Sequence, residues 1–365
     1  MKAPNWASAA LAMLVAALGP VDRVHAQAIS MTPELQKIVD AAKAEKIVQT
    51  SSGELVFGGR PTEARAKAWI KENFGIDIDF QYTPGGPFGV VGNKIATEFR
   101  AGQPSSVDAW AASPPQYDPL LKLDMFIRVP WEKLYPARIK SEMVEADSRA
   151  LATSTGTPGI LYNLEKGADF ANVKVIDDLL KPEYKGKFGT TSFANGFDAM
   201  AAKSWVGEAP MVAYMEKLGK QAQGILNCGN SDRVASGEFL AMVLDCTGAS
   251  PNIVPYKGKI GLNIVSDSAQ LQYYELLVPK HSQHQNAAIL FSLYLMTPEG
   301  QRSMAENMGV DLDYYPETQQ HKLVADLEAK GFVFRRINYP FWNQNPGLDE
   351  TGNRLGKALK ASLGG

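Results

Sequence analysis

Within residues 33–46, Leu35, Ile38, Val39 and Ala42 recur at i, i+3, i+4 and i+7, which is the apolar face of a helix. Leu55-Val56-Phe57 is a short apolar run closed by Gly58-Gly59 and reads as a buried strand. A helix from about Pro61 to Asn73 follows, with Pro61 suited to its first turn and Gly75 as its stop. Ile76-Asp77-Ile78-Asp79-Phe80 alternates strictly, so it reads as a strand. The loop 83–87 leads to a helix carrying Ile95 and Phe99. Residues 107–111 form the next strand, broken at Ser113-Pro114-Pro115, and a helix through Leu120 and Leu121 follows.

Strand, turn and helix thus repeat three times, which is the pattern of a mostly parallel sheet covered by helices. In such sheets ligands bind outside the carboxyl ends of the strands. The loops 58–62, 83–88 and 112–116 would share that edge, and all are rich in Gly, Pro or hydroxyl residues. The middle of the chain repeats the theme. Residues 159–162, 187–191 and 239–244 are strand-like, and Thr190-Thr191-Ser192 with Asn195-Gly196 lead into a helix near 197–206. A short helix is expected over 231–237, two more strands over 260–265 and 273–278, and an apolar helix over 287–296. Thr297-Pro298-Glu299 supplies an N-cap, a first-turn Pro and an early acid for the helix after it. Residues 318–330 and 350–362 read as further helices. No repeat of fixed period is present.

Composition narrows the class. The 365 residues are 45% hydrophobic and 21% charged, which describes a soluble globular protein and excludes collagen-like, disordered and polytopic membrane chains. A net charge of -2 without any basic run argues against nucleic acid as a partner. The length suggests two domains, about one per 150 residues.

The first residues read as an address. Lys2 gives a positive start, residues 7–18 are apolar except for Ser8, and Gly19-Pro20 break any helix. Val24-His25-Ala26 then presents small residues where a signal peptidase cuts, with Ala26-Gln27-Ala28 as a second option. The apolar run is too short for a membrane span, which needs about 20 residues. Removal of residues 1–26 takes Lys2, Arg23 and Asp22, and the mature net charge becomes -3. Export places Cys228 and Cys246 in an oxidising compartment, where they are expected to pair; two buried free thiols are the alternative.

The order of segments also resembles a known family. Ala41-Ala42-Lys43-Ala44-Glu45, Phe74-Gly75-Ile76-Asp77-Ile78 and Glu98-Phe99-Arg100-Ala101-Gly102 followed by Asp108 are similar to motifs of the extracellular solute-binding proteins of ABC importers. The branch concerned includes the ferric-ion-binding proteins. Leu161-Tyr162-Asn163, the run from Asp177 to Lys187, Ala235-Ser236-Gly237-Glu238 and Thr297-Pro298-Glu299-Gly300-Gln301 continue the resemblance in the same order. It implies an α/β, two-lobed periplasmic-binding-protein fold of type II, with mixed sheets flanked by helices and a solute held between the lobes. On that reading 27–158 begin lobe 1, 159–261 form lobe 2, and 262–365 return to lobe 1 and add C-terminal helices. It further implies a periplasmic monomer that binds a small-molecule solute, needs no cofactor and delivers to a membrane ABC permease.

The expected ligand contacts follow from the loop edges. Gly59 and Arg60 stand at a helix start, where N–H groups and a guanidinium favour a carboxylate or oxyanion. Thr83 and Gly86, Ser113 and Gln116, then Thr191, Ser192, Asn195 and Thr247 add hydroxyls, amides and close backbone approach. Each has a plainer reading as a turn or a helix cap. Ferric iron is the alternative cargo, but the family's adjacent tyrosines are missing from the stretch after Glu238, which reads Asp245-Cys246-Thr247-Gly248-Ala249-Ser250. Tyr273-Tyr274 and Tyr314-Tyr315 come too late to match them. His281 and His284 have metal-like spacing but sit in a turn, so no metal site is expected. None of the hydrolase, dinucleotide, P-loop or zinc-protease motifs is present, and a secreted hydrolase is the weaker class.

Overall fold

The computed structural model describes residues 29–53 and 56–363, so the expected signal segment lies outside the described residues. Among the described residues, twelve strands and their helices form two α/β bodies with separate cores. The first body contains β1 (Ile47–Ser52), β2 (Asp79–Pro84), β3 (Trp110–Ala112), β4 (Val144–Glu145) and β5 (Ala150–Gly156). The second contains β6 (Ile160–Asn163), β7 (Phe188–Thr191), β8 (Gly224–Leu226), β9 (Ala241–Val243) and β10 (Ile260–Asn263). The chain then returns to the first with β11 (Gln270–Leu277) and β12 (Arg335–Ile337).

In the first body β1 pairs in parallel with β2, and a parallel bridge joins Thr50 to Ala109 just before β3. Strand β3 runs antiparallel to β11, which also pairs with β5 and with β12 in the order β12-β11-β5-β4. In the second body the order is β10-β6-β9-β7-β8, with β9, β7 and β8 mutually parallel. Parallel strands need crossovers, and helices cover them. The apolar run around 287–296 is the Gln285–Leu295 helix, buried from Ala287 to Leu295 in the centre of the first core. Thr297 caps the next helix as expected, its Oγ1 accepting from the Gly300 N–H at 2.9 Å.

Several elements differ from the sequence reading. Of the strand expected at 55–57, Leu55 lies outside the described residues and Val56 and Phe57 are not in a strand. The strand of this region is β1, whose residues Gln49 to Ser52 look polar in sequence although Val48, Thr50 and Ser51 are buried. Parallel register with β2 over six residues fixes that choice. Residues Val56–Gly58 form a 3-10 turn that drives Phe57 against Phe291, ring centroids 5.6 Å apart. Strand β2 starts three residues later than the alternating Ile76–Phe80 pattern, and the helix expected to reach 206 stops at Met200.

The sequence reading places the C-terminal helices with the return to lobe 1. The last of them, Leu348–Ser362, packs instead on the Glu208–Gln221 helix, with Leu355 and Leu359 inside the second core. Gly219 permits this approach, since a Cβ there would lie 2.8 Å from Ser362 Cβ. The chain therefore passes between the bodies three times: at 157–159, at 264–269 and at 338–347. The third passage is fastened by Ile337, Trp342 and Leu348 packed with Ala199 and Ala202, and by the Arg335 guanidinium 4.8 Å from the centroid of the Trp205 ring.

Candidate functional site

Parallel pairing places the carboxyl ends of β1, β2 and the strand leading into β3 on one edge of the first sheet, and those of β7, β8 and β9 on one edge of the second. The passages between the bodies bring the edges together. Phe88, after β2, lies 6.0 Å ring to ring from Tyr274 on β11. The Tyr274 hydroxyl donates to the Cys246 carbonyl after β9 at 2.8 Å, and the Thr157 N–H donates to the Thr247 carbonyl at 2.9 Å. Gly156 lies under this junction: a Cβ there would be 3.1 Å from Thr247 Cα and 3.2 Å from the Tyr274 ring.

A buried carboxylate organises the second rim. Asp245, 3% exposed, accepts from the N–H groups of Gly159 at 3.1 Å, Thr247 at 3.1 Å and Gly248 at 2.8 Å. Burial pushes its carboxyl up to about 6, against the opposing pull of those backbone donors. Gly248 has φ 68°, and a side chain there would meet the Thr157 hydroxyl at 3.0 Å. Cys228 and Cys246 form the expected disulfide, Cα to Cα 5.6 Å, joining the loops that follow β8 and β9.

The sequence-derived residues divide into two groups. Gly59 opens the Gly59–Phe74 helix and Arg60 stands exposed beside it, with no ion pair among the described residues. Its charge acts on Glu63, whose carboxyl is raised by burial and drawn down by the Thr50 hydroxyl and Arg60. Thr83 is exposed at the end of β2, and Gly86 and Ser192 are half-buried in their loops. The second group is committed to the fold. Ser113 and Gln116 bond to each other as the cap of the Pro114–Leu121 helix. Thr191 Oγ1 accepts from Asn195 N–H at 2.9 Å, and Asn195 Nδ2 donates to the Asp245 carbonyl at 2.8 Å. Thr247 Oγ1 accepts from Ala249 N–H. These bonds have the pattern of caps: Gln116, Thr191, Asn195 and Thr247 each satisfy a loop backbone group, and the Ser113 hydroxyl donates to the Gln116 side chain.

Sequence reasoning missed Phe88, Gly156, Asp245 and Tyr274. Tyr274 sits in a strand beside Tyr273, and alternation turns the two apart. Tyr273 instead stacks on Tyr314, donates to Asp313 and receives Arg336. The Tyr315 hydroxyl donates to the Arg138 carbonyl at 3.1 Å. His281 and His284 have separate partners, the Gln103 carbonyl at 3.2 Å and Asp108 at 3.0 Å. Among the described residues no group of three His, Cys, Asp or Glu could hold a metal, and no helix is long and apolar enough to cross a membrane.

Two α/β bodies whose loop edges meet over crossing strands define the architecture of a solute-binding protein. The chain belongs to the bacterial extracellular solute-binding proteins, whose family profile matches residues 64–330. Members of that family bind small-molecule solutes for ABC permeases and in general carry out no reaction. The fold is similar to that of the apo ferric ion-binding protein A of Pasteurella haemolytica, at 15% identity and a TM-score of 0.66, over 86% of this chain and 98% of that one. It is also similar to a substrate-binding protein of an ABC transporter from Agrobacterium tumefaciens, at 15% identity, TM-score 0.66, and 87% and 97% coverage. Iron-bound HitA of Pseudomonas aeruginosa matches at 16% identity and TM-score 0.61, over 86% and 99%. No curated protein sequence gives a significant match.

Proposed function

We propose that this chain is exported by its residues 1–26 and works in the periplasm as a monomer. It captures a small organic acid or other oxyanion between lobe 1 (27–158, continuing from 262) and lobe 2 (159–261). The observation that carries the anion reading is Arg60: an exposed guanidinium without an ion pair among the described residues, at the N-terminus of a 16-residue helix, on the carboxyl edge of the first sheet. Helix N–H groups and the guanidinium act together on an anionic ligand. Thr83 and Ser192 contribute hydroxyls from the two rims, and ligand contacts with both lobes favour a closed state.

A thermal-shift screen over organic acids, amines, sugars and metal salts tests this reading. An acid at a hundred times its Kd should stabilise the protein by about 2.7 kcal/mol, with no turnover of the acid. Arg60→Ala should then weaken that acid by about tenfold to a hundredfold, as measured by calorimetry. Unchanged affinity would remove the anion assignment.

A second reading, ferric iron as cargo, draws on the iron-binding proteins among the structural neighbours. Against it, the hydroxyls of Tyr273, Tyr274 and Tyr315 already serve other groups of the fold. Titration with ferric citrate separates the two, since a tyrosinate–iron complex is coloured.

A further inference from the structure

Strand β11 carries a second unusual group on the opposite side from Tyr274. Glu275 follows the register shift in the β11–β5 pairing and is 0% exposed. Neither of its carboxyl oxygens has a hydrogen-bond partner among the described residues, and the buried Tyr117 hydroxyl beside it has none either. Glu145 on β4 is the neighbour of Glu275 across β5, where Glu145 pairs with Ala150 and Glu275 with Ala152, and the two carboxyls are within hydrogen-bonding reach of each other. Glu145 is 8% exposed, with Oε2 accepting the Tyr339 N–H at 2.7 Å. Two carboxylates cannot both be ionised in a dry interior without a cation between them. Arg149, whose charge reaches Tyr339, directs its Nη groups to the Ala146 carbonyl, Asp147 and Asp124. Asp118 and Tyr339 act with the two carboxyls on Tyr117, Glu275 also acts on Tyr274 and Glu145 on Tyr314, and the nearby cation Arg336, which acts on Tyr314, donates to Tyr273 and Asp313 instead.

We infer that Glu145 and Glu275 hold one proton between them as a structural carboxyl–carboxylate hydrogen bond, and that releasing it to solvent loosens the first sheet at the β11 register shift, next to the Tyr274–Cys246 contact. The proton supplies the donor that the Glu275 oxygens lack. Burial, then the neighbouring Glu145, pushes the Glu275 carboxyl well above its usual range, and burial raises Glu145 as well. The sign follows from linkage. A carboxyl raised in the folded state gives its full contribution below the unfolded value of about 4.3 and loses it as pH rises through the folded value.

Thermal unfolding of the full chain between pH 5 and 9 tests the pair. The wild-type midpoint should fall relative to Glu275→Gln as pH rises, by at least about 3 °C at pH 9, because the amide supplies a permanent donor. Glu145→Gln should flatten the profile in the same way, and the double variant should add no further flattening, since one proton is shared. Parallel pH profiles for wild type and both single variants would overturn the inference. If the variants do not fold, wild-type protein carrying carboxyl-labelled glutamate should show a protonated glutamic-acid carbonyl band in the infrared at pH 7.5. A spectrum with only glutamate carboxylate bands would overturn it equally.

Discussion

Replacing Asp245 with alanine should lower the stability of the folded protein by about 3–5 kcal/mol, because several buried N–H groups lose their acceptor at once. Gly159 belongs to the first passage between the bodies, and Thr247 and Gly248 to the rim that meets Tyr274. The same change should therefore also weaken ligand capture. Urea unfolding at pH 7.5 measures the first effect, and a loss below about 1 kcal/mol would show that the carboxylate does not organise the junction. Asp245→Asn keeps the shape but lacks the ionisable group. With the wild-type carboxyl raised to about 6, the wild type should lose stability relative to the asparagine variant as pH rises from about 4 through 6.

The double substitution Cys228→Ser and Cys246→Ser should cost about 3 kcal/mol, the loop-closure value for cysteines 18 residues apart. The larger interest is where that loss is felt. Cys246 accepts the Tyr274 hydroxyl through its carbonyl and adjoins Thr247, which receives the Thr157 N–H. Freed of the cross-link, the loops after β8 and β9 would hold these contacts less often, and affinity for any ligand should fall along with stability. Guanidinium unfolding of the variant, and of the wild type held in a phosphine reductant, should agree. A difference below about 1 kcal/mol between oxidised and reduced protein would assign the bridge no structural role.

Much of the fold is written locally. Thr297-Pro298-Glu299 specifies its own helix start, and the apolar run from Ala287 can only be buried. The hidden parts depend on distant partners. Strand β5, with the sequence ALATSTG, has small residues and weak strand preference, yet it is fully buried because β11 and β4 flank it. The Glu208–Gln221 helix contains Pro210 and Gly219, which argue against a helix until the Leu348–Ser362 helix arrives to need the gap. The site divides in the same way. The disulfide was legible from residue type and compartment, and Arg60 was legible as a candidate from its place at a helix start. Tyr274, Phe88 and Asp245 acquire meaning only when residues far apart in sequence are brought to one junction.

The final helix leaves its mark on how the molecule can be watched at work. Residue 33 starts a helix on the first body, whereas residue 362 ends one on the second. A fluorescent donor attached near one and an acceptor near the other would be carried by different rigid parts, far in sequence from the rims. A change in energy transfer on adding ligand would then report the lobe closure proposed above, and an unchanged signal would count against it.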